Sequence, residues 1–193
     1  MVTFYFIRHG NAYDKRGLQT PESALNKEGI KQATILKKFT ASKEFTTVLA
    51  SPYKRAMETC QIATSNQNLD VKIVNDLHEV GGDNWPNPLN YSVLSPQELG
   101  DLDEARNQVN KMWQELKNRY ANSTKESKVL VFTHGNLIRI LISLILETDA
   151  NRFQNFKIDF VSVSTVEIDN NGVETILNVG CPIYHLVETL CKM

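Results

Sequence analysis

Two apolar runs in this chain each end on a histidine. Val2 to Ile7 gives way to Arg8-His9-Gly10, and Val129-Leu130-Val131-Phe132 gives way to Thr133-His134-Gly135. A parallel α/β sheet opens its binding crevice at the carboxyl ends of its strands. Two such strands can therefore deliver two imidazoles to one place, an arrangement that suits a histidine nucleophile with phosphate as its cargo. A phosphate there needs positive charge, several N–H donors and a nucleophile close to phosphorus. Arg8 follows the first strand beside His9, and Arg55 falls in the first turn of a helix expected to open at Ser51-Pro52. There a guanidinium and a helix N-terminus together can hold an anion. Gly135 and Asn136 lead into another helix, whose free N–H groups can point at the ligand. Read singly, Arg8 could pair with a carboxylate, His134 could be a core histidine, and Arg55 an ordinary exposed helix arginine. Convergence on one sheet edge is what favours the site. His78 and His185 follow no strand on that edge and are read as structural. His9 itself is expected to be an exposed strand-end side chain.

The elements that must position these groups are legible in outline. Val2–Arg8 reads as a central strand, β-branched and aromatic without strict alternation, as when both faces are covered. Residues 11–25 form a polar loop holding Gly17 and Pro21, and Asn26 caps a helix with Ile30, Ala33, Leu36 and Phe39 inward. Residues 46–50 and 71–74 are short strands. The helix between them starts with Ser51 as N-cap and Pro52 at its first position, and buries Ala56, Cys60 and Ala63. Residues 75–90 are rich in Gly, Pro, Asn and Asp, a long loop of the kind that carries function. Ser95-Pro96 opens a helix burying Ala105, Val109, Met112, Trp113, Leu116 and Tyr120. A strand over 128–132 and an apolar helix from Asn136 follow. Last come two strands, 160–168 and 173–177, around the hairpin signal Asn170-Asn171-Gly172. Strands alternating with helices imply an α/β fold: a mostly parallel central sheet covered by helices on both faces, with the C-terminal hairpin at one edge.

Composition narrows the function classes. The 193 residues suit a single domain spanning 1–193, with 41% hydrophobic and 22% charged residues. A net charge of −1 and a pI near 6.4 exclude a general affinity for nucleic acid, so an anion site has to be built locally. Cys60, Cys181 and Cys191 make neither a disulfide framework nor a metal-ligand spacing, which favours a reducing, cytoplasmic setting. No signal peptide is read at the N-terminus. The apolar stretch 137–146, broken by Arg139 and Ser143, is too short for a bilayer and is read as a buried helix whose stripe of Leu137, Ile138, Leu141 and Ile145 is core. With no acidic or Cys/His cluster, no metal and no cofactor are expected. Oligomeric state is not readable.

The ordered motifs resemble the histidine phosphatase superfamily, the phosphoglycerate-mutase-like group, in its phosphatase branch. They are Phe6-Ile7-Arg8-His9-Gly10, Leu25 to Ala33, Ser51-Pro52-Tyr53-Lys54-Arg55-Ala56 to Thr59, Leu77-His78-Glu79, Thr133-His134-Gly135 with Ile138-Arg139, and Asn178 to Leu186. The resemblance implies a three-layer α/β/α sandwich, His9 as the phosphorylated nucleophile, and Arg8, Arg55 and His134 as the clamp on the phosphoryl group. It also makes Glu79 the proton donor, with Asp83 as the rival acid in that loop. The chain departs from the family pattern at Asn11-Ala12-Tyr13-Asp14-Lys15-Arg16, where an asparagine contact to phosphate is usual. Lys15 and Arg16 are the possible replacements, with the solvated reading ahead. It departs again at Gly82-Asp83-Asn84-Trp85-Pro86, which is expected to alter what substrate fits. The implied activity is metal-independent hydrolysis of phosphomonoesters, on a small metabolite or a phosphoprotein. A phosphoglycerate mutase and a non-catalytic phosphate-binding protein are the alternatives. The polar, proline-broken segment 75–91 suggests an open mouth, which favours hydrolysis.

Overall fold

The first apolar run forms β1 (Val2–Arg8) in a computed structural model that describes residues 1–81, 96–121, 126–148 and 150–183. Alternate side chains of β1 enter different cores. Val2, Phe4 and Phe6 pack with Val109, Met112 and Trp113, whereas Ile7 packs with Leu36, Phe39 and Cys60. That two-sided burial explains the continuous apolar run, since neither face of the strand meets water.

After β1 come α1 (Lys27–Ala41), β2 (Thr47–Ala50), α2 (Lys54–Thr64), β3 (Val71–Ile73), α3 (Pro96–Tyr120), β4 (Ser127–Thr133), α4 (Gly135–Ile145), β5 (Val163–Ile168) and β6 (Glu174–Cys181). The six strands lie in the order β3-β2-β4-β1-β5-β6. The first four named are parallel, and β5 and β6 form the antiparallel hairpin at one edge. Helices α1 and α2 cover one face and α3 and α4 the other, giving three layers. The hairpin turn is held by the Asp169 carboxylate, which accepts the N–H groups of Asn171 and Val173, both at 2.8 Å, with Gly172 at φ 81°.

Register sets up the chemistry. Arg8 pairs with Thr133 and Ala50 with Phe132, so His9, His134 and Ser51 leave the sheet side by side.

Several local expectations are corrected. Ser51 does not cap α2: the helix begins at Lys54 after Tyr53, with no side-chain cap. The register at Ala50 turns the Ser51 hydroxyl to His134 instead. In α1, Asn26 is the cap, accepting from Gly29 N–H at 2.9 Å, but Ile30 is 47% exposed and Gly29 takes the inward place. The reason is a close approach of backbone. A Cβ on Gly29 would sit 2.1 Å from the Asn11 carbonyl oxygen, and one on Gly10 would sit 2.7 Å from that of Gly29. The segment after His9 therefore lies directly on the start of α1. Strand β5 starts at Val163 rather than Phe160, and β6 runs on to Cys181. The stretches 82–95 and 184–193, with Asp83 and His185, lie outside the described residues.

Candidate active site

His9 follows β1, and its N–H donates to Thr133 O at 3.0 Å, locking it to the end of β4. Its Nδ1 lies 2.7 Å from Gly10 O, and Arg55 Nε donates to its Nε2 at 3.0 Å. A carbonyl can only accept and a guanidinium can only donate, so the ring carries its proton on Nδ1 and a lone pair on Nε2. Burial, reinforced by the charges of Arg55 and Arg8, holds the imidazolium pKa well below its ordinary value. His9 is only 1% exposed, contrary to the exposed strand end expected from sequence. Arg55 of α2, His134 and the Phe160 ring enclose it. Thr59, one turn beyond Arg55 on α2, accepts Gly10 N–H at 3.0 Å and donates to Arg55 O at 2.6 Å. One helix thus holds both the guanidinium on Nε2 and the residue, Gly10, whose carbonyl meets Nδ1.

Arg8 is clasped by the segment before β5. Its Nη1 donates to Ile158 O at 2.7 Å, its guanidinium lies 4.0 Å from the Phe160 ring centroid, and its carbonyl accepts Val161 N–H at 3.0 Å. Val161 has φ 53°, a conformation that strains a β-branched residue. Arg55 reaches Thr20 O through Nη1 at 2.8 Å and stacks 4.9 Å from the Tyr53 ring. The His134 ring stands 5.1 Å from that of His9, with its Nε2 2.7 Å from Ser51 Oγ. Burial, with the positive charge of neighbouring groups, holds its pKa well below the ordinary value. Two buried nitrogens here, Arg8 Nε and His134 Nδ1, have no hydrogen-bond partner. Buried polar groups are nearly always satisfied, so these two stand out.

Thr133 Oγ1 donates to Leu77 O at 2.7 Å, fastening the turn after β3 to the end of β4 and placing Glu79 over α4. The Glu79 Oε1 atom accepts the N–H groups of Asn136 and Leu137 at 3.2 and 3.3 Å. Burial raises the Glu79 pKa, against the pull of Arg8 and Arg55. Asn136 thus reaches the expected edge, but its N–H serves Glu79 and its Oδ1 accepts from Arg139 at 2.9 Å.

The other groups sort by position. His78 sits one layer back, bridging Asn75 O and Gln108 at 2.6 and 2.9 Å, with its ring 5.9 Å from Tyr53. Arg16 pairs with Asp14 at 3.0 Å in solvent, and Lys15 is exposed. Sequence reasoning missed the rings of Tyr13, Tyr53 and Phe160 around the site, and it missed Thr59. Only Thr59 left a signal, its four-residue spacing from Arg55. The Tyr13–Phe160 contact, at 5.8 Å, joins residues too distant in the chain for any local pattern. Among the described residues no three His, Cys, Asp or Glu side chains gather as a metal site, and no helix is long and apolar enough to cross a membrane.

A family model, the histidine phosphatase superfamily (branch 1), matches residues 4–179. No curated protein matches. Among solved structures, the chain is similar to a phosphoglycerate mutase from Bacillus anthracis, with 21% identity, TM-score 0.76, and coverage of 97% of this chain and 96% of that one. It is similar to a phosphoserine phosphatase from Entamoeba histolytica, with 19% identity, TM-score 0.73, and coverage of 93% and 96%. A putative alpha-ribazole-5'-P phosphatase from Escherichia coli has 20% identity, TM-score 0.69, and coverage of 94% and 99%. At these identities the likeness is one of fold.

Proposed function

The chain belongs to the histidine phosphatase superfamily, and from that premise we propose that it is a metal-independent phosphatase working through a phosphohistidine on His9. The observation that carries this reading is the buried, neutral His9, with Nδ1 tied to Gly10 and its Nε2 lone pair facing Arg55. A histidine so held is a nucleophile already in its reactive tautomer. Its Nε2 attacks phosphorus, and the bond from phosphorus to the ester oxygen breaks with its electrons on that oxygen. Glu79, whose pKa burial raises, in its protonated form supplies the proton the alkoxide needs. Arg8, Arg55 and His134 face the non-bridging oxygens, where charge redistributes. Water then attacks phosphorus as Glu79 takes its proton, and the N–P bond electrons return to Nε2. Asn136 contributes by holding the Glu79 carboxylate. The substrate is a phosphorylated small molecule or a phosphoprotein, handled in the cytoplasm by one domain spanning 1–193, without nucleic acid, membrane or cofactor.

One observation favours a second reading, a phosphoglycerate mutase. His9 and His134 are both almost inaccessible, and a mutase must keep water from its phosphoenzyme. The open mouth expected over 75–91 falls largely outside the described residues. Rapid-quench labelling with a labelled phosphomonoester tests the shared step: an acid-labile, base-stable phosphoenzyme should appear and vanish in His9→Ala. Label that persists in His9→Ala places the nucleophile elsewhere. Phosphate release is then compared with interconversion of the two monophosphoglycerates, primed with bisphosphoglycerate. Interconversion outpacing release selects the mutase.

A further inference from the structure

Ser51 stands where β2 ends, and its N–H donates to Phe132 O at 2.9 Å, so the backbone fixes it beside the last residues of β4. It is fully buried. Among the described residues its hydroxyl has two contacts: it accepts Tyr53 N–H at 3.2 Å, and it meets His134 Nε2 at 2.7 Å. A hydroxyl has one proton to give. With Tyr53 acting as donor, the acceptor for that proton is the Nε2 lone pair. Were Nε2 protonated instead, two donors would converge on Oγ and the buried hydroxyl proton would face no acceptor, an arrangement buried polar groups avoid.

The consequence falls on the other ring nitrogen. With Nε2 accepting from Ser51, a neutral His134 carries its proton on Nδ1, the atom without a partner. We propose that Ser51 is a positioning residue that fixes His134 as the Nδ1–H tautomer, so that a neutral imidazole offers an N–H donor to a phosphoryl oxygen. The part played by that donor rests on the phosphohistidine reading of His9. His134 is then a fixed donor whose proton stays in place throughout turnover. His9 and His134 share one tautomer for opposite ends. Gly10 O accepts from Nδ1–H of His9 and so leaves the lone pair on Nε2, where Arg55 donates, whereas Ser51 occupies the Nε2 lone pair of His134 and so leaves its proton on Nδ1.

Long-range proton–nitrogen correlation spectra of the full chain with 15N-labelled histidine read the tautomer directly. The His134 signals are assigned by their loss in His134→Gln. The proposal expects the Nδ1–H pattern in the wild-type protein and appearance of the Nε2–H form in Ser51→Ala. With p-nitrophenyl phosphate, Ser51→Ala should lose about 10- to 100-fold in kcat/KM, by analogy with the loss when a partner orienting a metal-bound imidazole is removed. Ser51→Thr, which keeps the hydroxyl, should retain the Nδ1–H form and most of the activity. An Nε2–H pattern in the wild type overturns the proposal, as does Ser51→Ala keeping both tautomer and kcat/KM. If Ser51→Ala does not fold, the wild-type spectrum alone decides. Because the spectrum needs no turnover, failure of the phosphatase reading would show separately, as wild-type protein with the expected tautomer and no hydrolysis.

Discussion

Acid should destabilise this protein through its two site histidines, to a calculable extent. His9 and His134 both have pKa values held well below the ordinary histidine value, with burial as the largest cause. The unfolded chain therefore takes up protons near its ordinary value of about 6.5 while the folded chain does not, so stability falls as pH drops. With a ring kept neutral in the fold, the loss between pH 7 and pH 5 is about 2 kcal/mol per histidine, or about 4 kcal/mol for the pair. Glu79 acts with the opposite sign. Its pKa is raised in the fold, so its contribution is present at low pH and is lost as pH rises through the folded value. Urea unfolding at pH 7, 6 and 5, at constant ionic strength, measures the sum. Replacing His9 with Asn should remove about half of the fall, and Glu79→Gln should make it steeper. An unchanged pH slope in both His9→Asn and His134→Asn would refute the reasoning, because it would mean the buried rings ionise freely.

Further outcomes are expected. Glu79→Gln should slow hydrolysis of alkyl phosphates strongly but p-nitrophenyl phosphate much less, because nitrophenolate leaves without a proton; equal defects on both would remove Glu79 from the acid role. Thr59→Val should cost about 1–3 kcal/mol in urea unfolding, since Gly10 N–H is left buried without an acceptor. The same variant should lower kcat more than it raises KM, because it loosens Gly10, whose carbonyl orients His9. Turnover should survive EDTA and be inhibited by vanadate, which adopts five-coordinate geometry; a requirement for added Mg²⁺ would displace the arginine clamp.

The fold was legible because the pattern has a direct physical cause. Strands covered on both sides must be apolar throughout, and the β1 and β4 runs could hardly be anything else. The histidines at their ends were legible for the same reason, since an imidazole that interrupts an apolar run marks where the sheet stops. What escaped was what depends on contact across the chain. Ser51 looks like a helix cap, and only the pairing of Ala50 with Phe132 turns its hydroxyl toward His134. Ile30 fits a helical stripe, yet the backbone of Asn11 needs the place that a side chain at Gly29 would fill. The burial of His9 depends on layers that no local window contains.

The left-handed turn at Val161 bears on how this protein should respond to heat. Its conformation is opposed by its own side chain, at about 1–3 kcal/mol, and is sustained by packing of that side chain among Ile7, Phe39 and their neighbours. Arg8 is clasped from the same turn, so its aim is supplied by the oily layer beneath rather than by the turn itself. As that layer loosens on warming, the turn should relax before the sheet parts. Catalysis would then fade several degrees below the melting transition, with the secondary structure still intact.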